Sequence, residues 1–212
     1  MDIGIDGRLQ GRMYAGSGGN AKACVIVTHP HSKLGGDMRN NVVVEMCKGL
    51  AEAGYCVICF NFRGVGASKG SSTWSGKAER QDFEAVVAYA RQCEGVDKVF
   101  LVGYSFGSAV GCGVNENLDG YVAISYPYGR VAGCALGSHY KLADCSLPKL
   151  FIVGGNDQFA SVPRLETFAK GLQGDTHVQV LEDQDHFWNG TEHMLLPFVL
   201  EFLHNAMSPS RI

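Results

Sequence analysis

The sequence lacks several features that would assign it to a specialised class of protein. It has no excess of positive charge, because 18 Lys and Arg face 21 Asp and Glu and the net charge is −3. Binding to the phosphates of a nucleic acid needs a basic surface, so no nucleic-acid partner is expected. No internal repeat or low-complexity linker interrupts the chain either. Its 212 residues therefore suit a single domain spanning 1–212.

Long apolar runs are also absent. Runs such as 24–27 and 55–60 fall far short of the about 20 residues that a membrane-spanning helix requires. The N-terminal residues alternate polar and apolar types and contain no charged-then-apolar leader. We therefore expect no membrane partner and a cytoplasmic location.

Glycine and cysteine, by contrast, are plentiful, with 28 and 8 residues. Disulfide-rich secreted domains are usually shorter than about 100 residues, and most of these cysteines lie in apolar runs. They are interpreted as small buried hydrophobic residues. Cys56 and Cys59 match C-x-x-C, but residues three apart on a strand point to opposite faces and cannot share a metal ion.

Strand-like segments alternate with segments of helical periodicity along the whole chain. Strands are predicted at 3–5, 9–14, 23–28, 55–60, 98–102, 121–125, 149–153 and 177–181. The alternation predicts an α/β fold, a three-layer sandwich with helices on both faces of a twisted central sheet that is parallel except near its N-terminal edge. The last helical segment contains Pro197, so it is expected to be kinked or to start late. Residues 127–146 are irregular and could form a small lid or loop insertion.

Two segments match G-x-S-x-G, the pattern of a nucleophile elbow in which a strand-to-helix turn exposes a serine hydroxyl. A chain this rich in glycine can contain the pattern by chance, so the context must decide. Ser68 is followed by glycines and serines that cannot start a packed helix. Ser105 directly follows a predicted strand and precedes a helix start of small residues. Ser105 is therefore the predicted nucleophile, and Ser68 is a turn residue.

A serine nucleophile needs a base to take its proton, and the base needs an acid to orient it. In an elbow-type site these partners follow in the order Ser, acid, His at the ends of later strands. Asp157 and His186 each follow a predicted strand in this order. Asp183 and Asp185 compete with Asp157 as the acid, although their closeness to His186 in the sequence disfavours a suitable geometry.

The negative charge that develops during acyl transfer needs backbone N–H donors, which form an oxyanion hole. One donor is predicted at Phe106, the residue after the nucleophile, and a second in the loop 29–36. His29 and His31 of this loop could instead bind a metal ion, but no third ligand has a suitable spacing, so no metal is expected. The glycines at 64–70 lack both the spacing and the following helix of a dinucleotide site.

Six short stretches carry a resemblance to a known family: 29–31, 35–43, 60–68, 103–107, 157–159 and 185–187. With them the chain resembles the α/β-hydrolase superfamily over 23–212. More narrowly, it is similar to a family of small, lid-poor serine hydrolases near the dienelactone-hydrolase-like group. This resemblance implies an α/β-hydrolase fold and a hydrolytic activity.

The resemblance also assigns roles to single residues. It implies a catalytic triad of Ser105, Asp157 and His186, and an oxyanion hole made by the N–H groups of His31 and Phe106. One position departs from the family, because Ser32 stands where the family usually has proline.

The expected function is that of a serine hydrolase. It would cleave an ester, thioester or similar acyl bond of a small-molecule substrate through an acyl-enzyme intermediate, without a cofactor. We expect Tyr104, Tyr128 and Trp188 to contact that substrate. A serine peptidase or amidase on the same fold would use the same triad, and a catalytically silent binding module is the non-enzyme alternative. The sequence leaves the oligomeric state open.

Overall fold

The protein is described by a computed structural model that covers residues 1–129, 136, 137 and 139–208. Its strands form one eight-stranded sheet in the order β1-β2-β4-β3-β5-β6-β7-β8. The strands are β1 Asp2–Ile5, β2 Leu9–Tyr14, β3 Ala23–Thr28, β4 Cys56–Phe60, β5 Lys98–Tyr104, β6 Gly120–Ile124, β7 Lys149–Gly154 and β8 Thr176–Leu181. The α-helices of the described residues are α1 Asn41–Glu52, α2 Glu79–Arg91, α3 Phe106–Gly111, α4 Val162–Lys170 and α5 Leu196–Met207.

The sheet is parallel except at its N-terminal edge, as the sequence predicts. Strands β1 and β2 pair antiparallel, and β2 is also antiparallel to β4. All the other pairs, from β4 to β8, are parallel. Strands β3, β4, β6 and β7 are buried along their full length, because helices cover both faces of a parallel sheet. The predicted α/β fold class is confirmed.

Two apolar cores lie on opposite faces of the sheet and complete the three layers. Helices α2, α3 and α4 pack on one face, and α1 and α5 pack on the other. The side chain of Cys56 belongs to the first core and that of Cys59 to the second. The C-x-x-C pair is therefore split between the two faces, as the strand periodicity predicts. The seven cysteines within the described ranges are free thiols.

The C-terminal ends of the parallel strands meet at one edge of the sheet, where the loops after β3, β5, β7 and β8 emerge. Helix α5 starts late, as predicted, with Pro197 in its first turn. Of the predicted insertion 127–146, residues 130–135 and 138 lie outside the described residues. Among the helices that the structure describes, none combines the length and the apolar character needed to cross a membrane.

Candidate active site

The second G-x-S-x-G turn is tightly folded around its serine. Ser105 joins β5 to α3 with φ 51° and ψ −121°, a positive φ that residues other than glycine rarely adopt. A Cβ atom on Gly103 would lie 2.5 Å from Cα of Ser108, and one on Gly107 would lie 2.5 Å from Oγ1 of Thr28. Both glycines are therefore required by the close approach of strand and helix, and the turn exposes the serine to a cleft.

Ser105, His186 and Asp157 form a continuous hydrogen-bonded chain. Nε2 of His186 lies 2.9 Å from Oγ of Ser105, and Nδ1 lies 2.9 Å from both carboxylate oxygens of Asp157. An ionised carboxylate only accepts, so Nδ1 carries a proton and Nε2 accepts from the serine hydroxyl. The side chains of His186 and Asp157 are 7% and 0% exposed. This arrangement can pass the serine proton to the imidazole while a shielded carboxylate holds the ring.

The loop after β7 aims the Asp157 carboxylate at the imidazole. Its Oδ1 accepts hydrogen bonds from the backbone N–H groups of Phe159 at 2.8 Å and Ala160 at 3.0 Å. These bonds fix the side chain within its own loop, so the carboxylate faces the loop after β8 without having to reorient.

The competing acids have other surroundings. Oδ1 of Asp185 accepts from the backbone N–H groups of Phe187 at 2.9 Å and Trp188 at 3.2 Å, so it shapes the turn that follows the histidine. Asp183 is exposed on the surface. In the part of the chain that the structure describes, Asp157 is the acid that contacts the His186 ring.

Side chains from three other elements fix the backbone around His186. The hydroxyl of Tyr104 donates to the carbonyl of His186 at 2.8 Å, and Nδ2 of Asn41 donates to the carbonyl of Phe187 at 3.1 Å. The N–H of His186 donates to Oε1 of Gln158 at 3.4 Å. Burial and the two nearby carboxylates raise the pKa of Tyr104, so its hydroxyl stays protonated and remains a donor.

Tyr104 therefore has a second role that sequence reasoning missed. It lines the cleft, where a substrate contact remains a prediction, but its hydroxyl also binds the loop that carries the histidine. The two partners are 82 residues apart in the chain, and no local pattern connects them.

Trp188 does not line the cleft, and its prediction as a substrate contact is wrong. It is fully buried, and its Nε1 donates to Oγ of Ser125 at 2.9 Å. Its φ of 55° turns the chain into the core directly after Phe187. Adjacent residues in this turn point to opposite sides, so Phe187, which is 47% exposed, lines the cleft in its place.

Tyr128 also lies away from the described cleft. Its ring stacks on Phe168 of α4 with 4.5 Å between the ring centroids, and the described residues that line the cleft do not include it. Pro127 and Leu136 are the described parts of the insertion that reach the cleft.

The loop after β3 borders the serine turn. The ring of His31 lies 4.3 Å from that of Phe106, between centroids. Its Nδ1 accepts from the N–H of Lys33 at 3.1 Å, and Nε2–H donates to the carbonyl of Trp74 at 3.2 Å. Burial lowers the pKa of His31, which favours this neutral ring. Phe106 is the first residue of α3, so its N–H has no acceptor within the helix.

His29 anchors the start of the same loop. It is fully buried; its Nε2 accepts from the N–H of Phe62 at 3.1 Å, and Nδ1–H donates to the carbonyl of Pro30 at 2.7 Å. Burial lowers the pKa of His29 to about 4. Protein hydrogen bonds thus occupy both ring nitrogens. Among the described residues no group of three or more potential ligand side chains could hold a metal ion.

The first G-x-S-x-G segment is a turn, as predicted. Oγ of Ser68 donates to the carbonyl of Asn61 at 2.6 Å and accepts from the N–H of Gln10 at 2.9 Å. Its side chain is buried within these contacts, so its hydroxyl serves the packing of the loop after β4.

The cleft above Ser105 has a volume of about 510 Å³ and mostly apolar walls. Its described lining residues are Pro30, His31, Leu34, Gly35, Gly36, Asn40, Trp74, Tyr104, Ser105, Phe106, Pro127, Leu136, Phe159, His186 and Phe187. The serine, the imidazole, the first residue of α3 and the loop after β3 thus face one common space.

Known proteins share this fold and parts of this sequence. The family described as alpha/beta hydrolase fold matches residues 34–114. An uncharacterised protein of Rickettsia prowazekii (strain Madrid E) is 28% identical over 194 residues, which cover 87% of this chain and 79% of that protein.

Two solved structures are similar over almost the whole chain. An alpha-beta serine hydrolase homologue from Coxiella burnetii is 25% identical, with a TM-score of 0.82 and 96% of each chain covered. A serine hydrolase without lid from Xanthomonas campestris is 26% identical, with a TM-score of 0.83 and with 99% of this chain and 96% of that chain covered. The chain therefore has the α/β-hydrolase fold, and it is similar to an alpha-beta serine hydrolase homologue and to a serine hydrolase without lid.

Proposed function

We propose that this protein is a serine hydrolase of the carboxylesterase type, which cleaves an ester, thioester or similar acyl bond. One observation carries the proposal: a single imidazole, that of His186, is hydrogen-bonded both to the half-buried hydroxyl of Ser105, which faces the cleft, and to the buried carboxylate of Asp157. A solvated surface histidine would have neither a strained serine on one side nor a fully buried acid on the other.

The proposed reaction follows from this chain of hydrogen bonds. Oγ of Ser105 attacks the carbonyl carbon of the substrate while its proton passes to Nε2 of His186, and Asp157 stabilises the imidazolium. The tetrahedral oxyanion accepts hydrogen bonds from the N–H groups of Phe106 and His31. Nε2 then returns the proton to the leaving oxygen or sulfur, which departs and leaves an acyl-enzyme. A water molecule, deprotonated by the same imidazole, releases the acid and restores the serine.

Two alternatives are less well supported. A serine peptidase or amidase would use the same three residues, but the described walls of the cleft offer few polar groups to bind a peptide backbone. A silent binding module would not need a nucleophile, base and acid in hydrogen-bonding register. A cytoplasmic location is part of the proposal, supported by the free thiols of the described residues, since thiols persist in reducing compartments.

Covalent labelling with a fluorophosphonate tests the proposal, because only an activated serine attacks this probe rapidly. We expect Ser105 of the wild type to be labelled and Ser105→Ala to be unlabelled. Ser68→Ala is the matched control, since it removes the other G-x-S-x-G hydroxyl and should keep the labelling. Label mapped to Ser68, or labelling that persists in Ser105→Ala, would show that the assignment is wrong.

Hydrolysis of p-nitrophenyl butyrate provides the second readout. Ser105→Ala should lower kcat by roughly 10⁶-fold, the scale seen when a triad nucleophile is removed. Circular dichroism of the variant must match the wild type. A folded Ser105→Ala variant with wild-type turnover would contradict the proposal.

A further inference from the structure

Large exposed apolar side chains are concentrated at the mouth of the cleft. In the described part of the chain they are Met1, Leu34, Trp74, Phe187 and Met194. Three of these, Leu34, Trp74 and Phe187, line the cleft and are 73%, 55% and 47% exposed. Single exposed apolar residues need no explanation, but a group around a concave site marks a surface for an apolar ligand.

The exposed position of Trp74 is held by buried polar contacts. Glu79 is fully buried, and its carboxylate accepts from the N–H and the hydroxyl of the neighbouring Thr73 at 2.6 and 2.5 Å. On the other side, the carbonyl of Trp74 accepts from His31. Hydrogen bonds to a buried carboxylate are strong and directional, so the loop presents the indole at a fixed place.

The described walls of the cleft carry no formal charge. No Lys, Arg, Asp or Glu is among their residues, and His31 is held neutral by its two hydrogen bonds. A carboxylate or phosphate of a ligand would lose its water here without gaining a cationic partner, which costs free energy. The cleft therefore favours an uncharged ligand.

The reaction chemistry distinguishes the two walls. Nε2 of His186 must reach the leaving oxygen, so the alcohol half of an ester lies beside this ring. Phe159 and Phe187 flank the ring at 4.6 and 5.6 Å between centroids. Trp74 lies 5.0 Å from the ring of His31, between centroids, and Leu34 belongs to the same loop as His31. The N–H of His31 is a proposed oxyanion donor, so these two side chains are left to contact the acyl half.

We infer that the substrates are uncharged esters in which both halves are apolar. Phe159 and Phe187 bind the alcohol half, and Trp74 and Leu34 bind the acyl half. This inference rests on the proposed function and adds the substrate class to it.

Two ester series test the inference. In one, the acyl chain of p-nitrophenyl esters grows from acetate to hexanoate; in the other, the alcohol of butyrate esters grows from methanol to hexanol. Burial of each added methylene should raise kcat/KM by up to about fourfold in both series. The inference would be overturned if kcat/KM of the wild type stayed constant or fell from the shortest ester onward.

Three variants test the assignment of the walls. Trp74→Ala should abolish the rise of kcat/KM with acyl chain length and keep the rise with alcohol chain length. Phe187→Ala should abolish the rise with alcohol chain length and keep the rise with acyl chain length. Met194→Ala removes a similarly exposed apolar side chain outside the described cleft and should change neither series. The opposite pattern for Trp74→Ala and Phe187→Ala would overturn the assignment.

A matched pair of substrates tests the exclusion of charge. The mono-p-nitrophenyl ester of glutaric acid has nearly the shape of p-nitrophenyl pentanoate but ends in a carboxylate. Its kcat/KM should be at least about 100-fold lower, because the carboxylate must be desolvated without a partner. An equal or higher value would overturn the inference.

Binding without catalysis separates this inference from the proposed function. Titration of the Ser105→Ala variant with hexyl butyrate, followed by tryptophan fluorescence, should show saturable binding, because Trp74 lines the cleft whereas Trp188 is buried. Such binding with no ester hydrolysis by the wild type would refute the proposed function and still support an apolar cleft. If the wild type hydrolyses esters but kcat/KM stays flat across both series, only the substrate class is refuted. The absence of both binding and hydrolysis also refutes the substrate class.

Discussion

The buried histidine at the start of the oxyanion loop should make the protein sensitive to mild acid. His29 is enclosed by protein, and its Nε2 accepts from the N–H of Phe62. Protonation of His29 would place a charge in the core, and its new Nε2–H would point at the N–H of Phe62, so that two donors would face each other. Burial accordingly lowers the pKa of His29 to about 4, whereas a histidine in an unfolded chain titrates near about 6.5.

The sign and size of the effect follow from this difference. Between about pH 6.5 and 4 the unfolded chain binds a proton at this position and the folded protein does not, so stability falls as the pH falls. From pH 7 to pH 5 the loss attributable to His29 is about 2 kcal/mol, and the full loss below pH 4 is about 3 kcal/mol. Burial also lowers the pKa of His31 and of His139, and both act in the same direction.

Urea unfolding at pH 7, 6 and 5, followed by tryptophan fluorescence, measures this loss. His29→Gln is the informative variant, because an amide can accept and donate in similar places but does not titrate. It should be less stable than the wild type at pH 7, yet its loss between pH 7 and 5 should be smaller by about 2 kcal/mol. All other titrating groups cancel in this comparison. An equal loss in both proteins would refute the reasoning.

Three further substitutions test the site. Asp157→Asn should keep the fold and lower kcat by about 10⁴-fold, as an asparagine favours the wrong tautomer of His186. Asp185→Asn should lower kcat far less, and a larger loss of kcat in Asp185→Asn than in Asp157→Asn would exchange the roles of the two acids. Tyr104→Phe should lower kcat by about tenfold with little change in KM, since only a positioning hydrogen bond is lost; a raised KM with unchanged kcat would instead indicate a substrate contact. Ser32→Pro should raise the free energy of unfolding in urea by about 0.4–1 kcal/mol, and a lower free energy would contradict this. Ser32 opens a short 3-10 helix, the residue before it has φ −61° and ψ 121°, and its buried hydroxyl has no partner.

The sequence by itself determined the elements and the order of the site residues. Alternating strands and helices lead to a parallel sheet, since parallel neighbours need helical crossovers. The two glycines around Ser105 define the elbow locally, because their missing Cβ atoms leave the space that the turn requires. The ends of parallel strands meet at one edge, so Asp157 and His186 were predictable as partners from their positions after strands.

Only the tertiary structure decided which neighbouring side chains face the cleft. Phe187 and Trp188 are adjacent aromatic residues in one turn, and the sequence does not say which of them points inward. The positive φ of Trp188 and its hydrogen bond to Ser125 decide it. Likewise, the bond from Tyr104 to the histidine loop joins residues 82 positions apart. Local patterns specify helices, strands and turns through short-range sterics, whereas the direction of each loop side chain depends on packing partners that only the folded chain brings together.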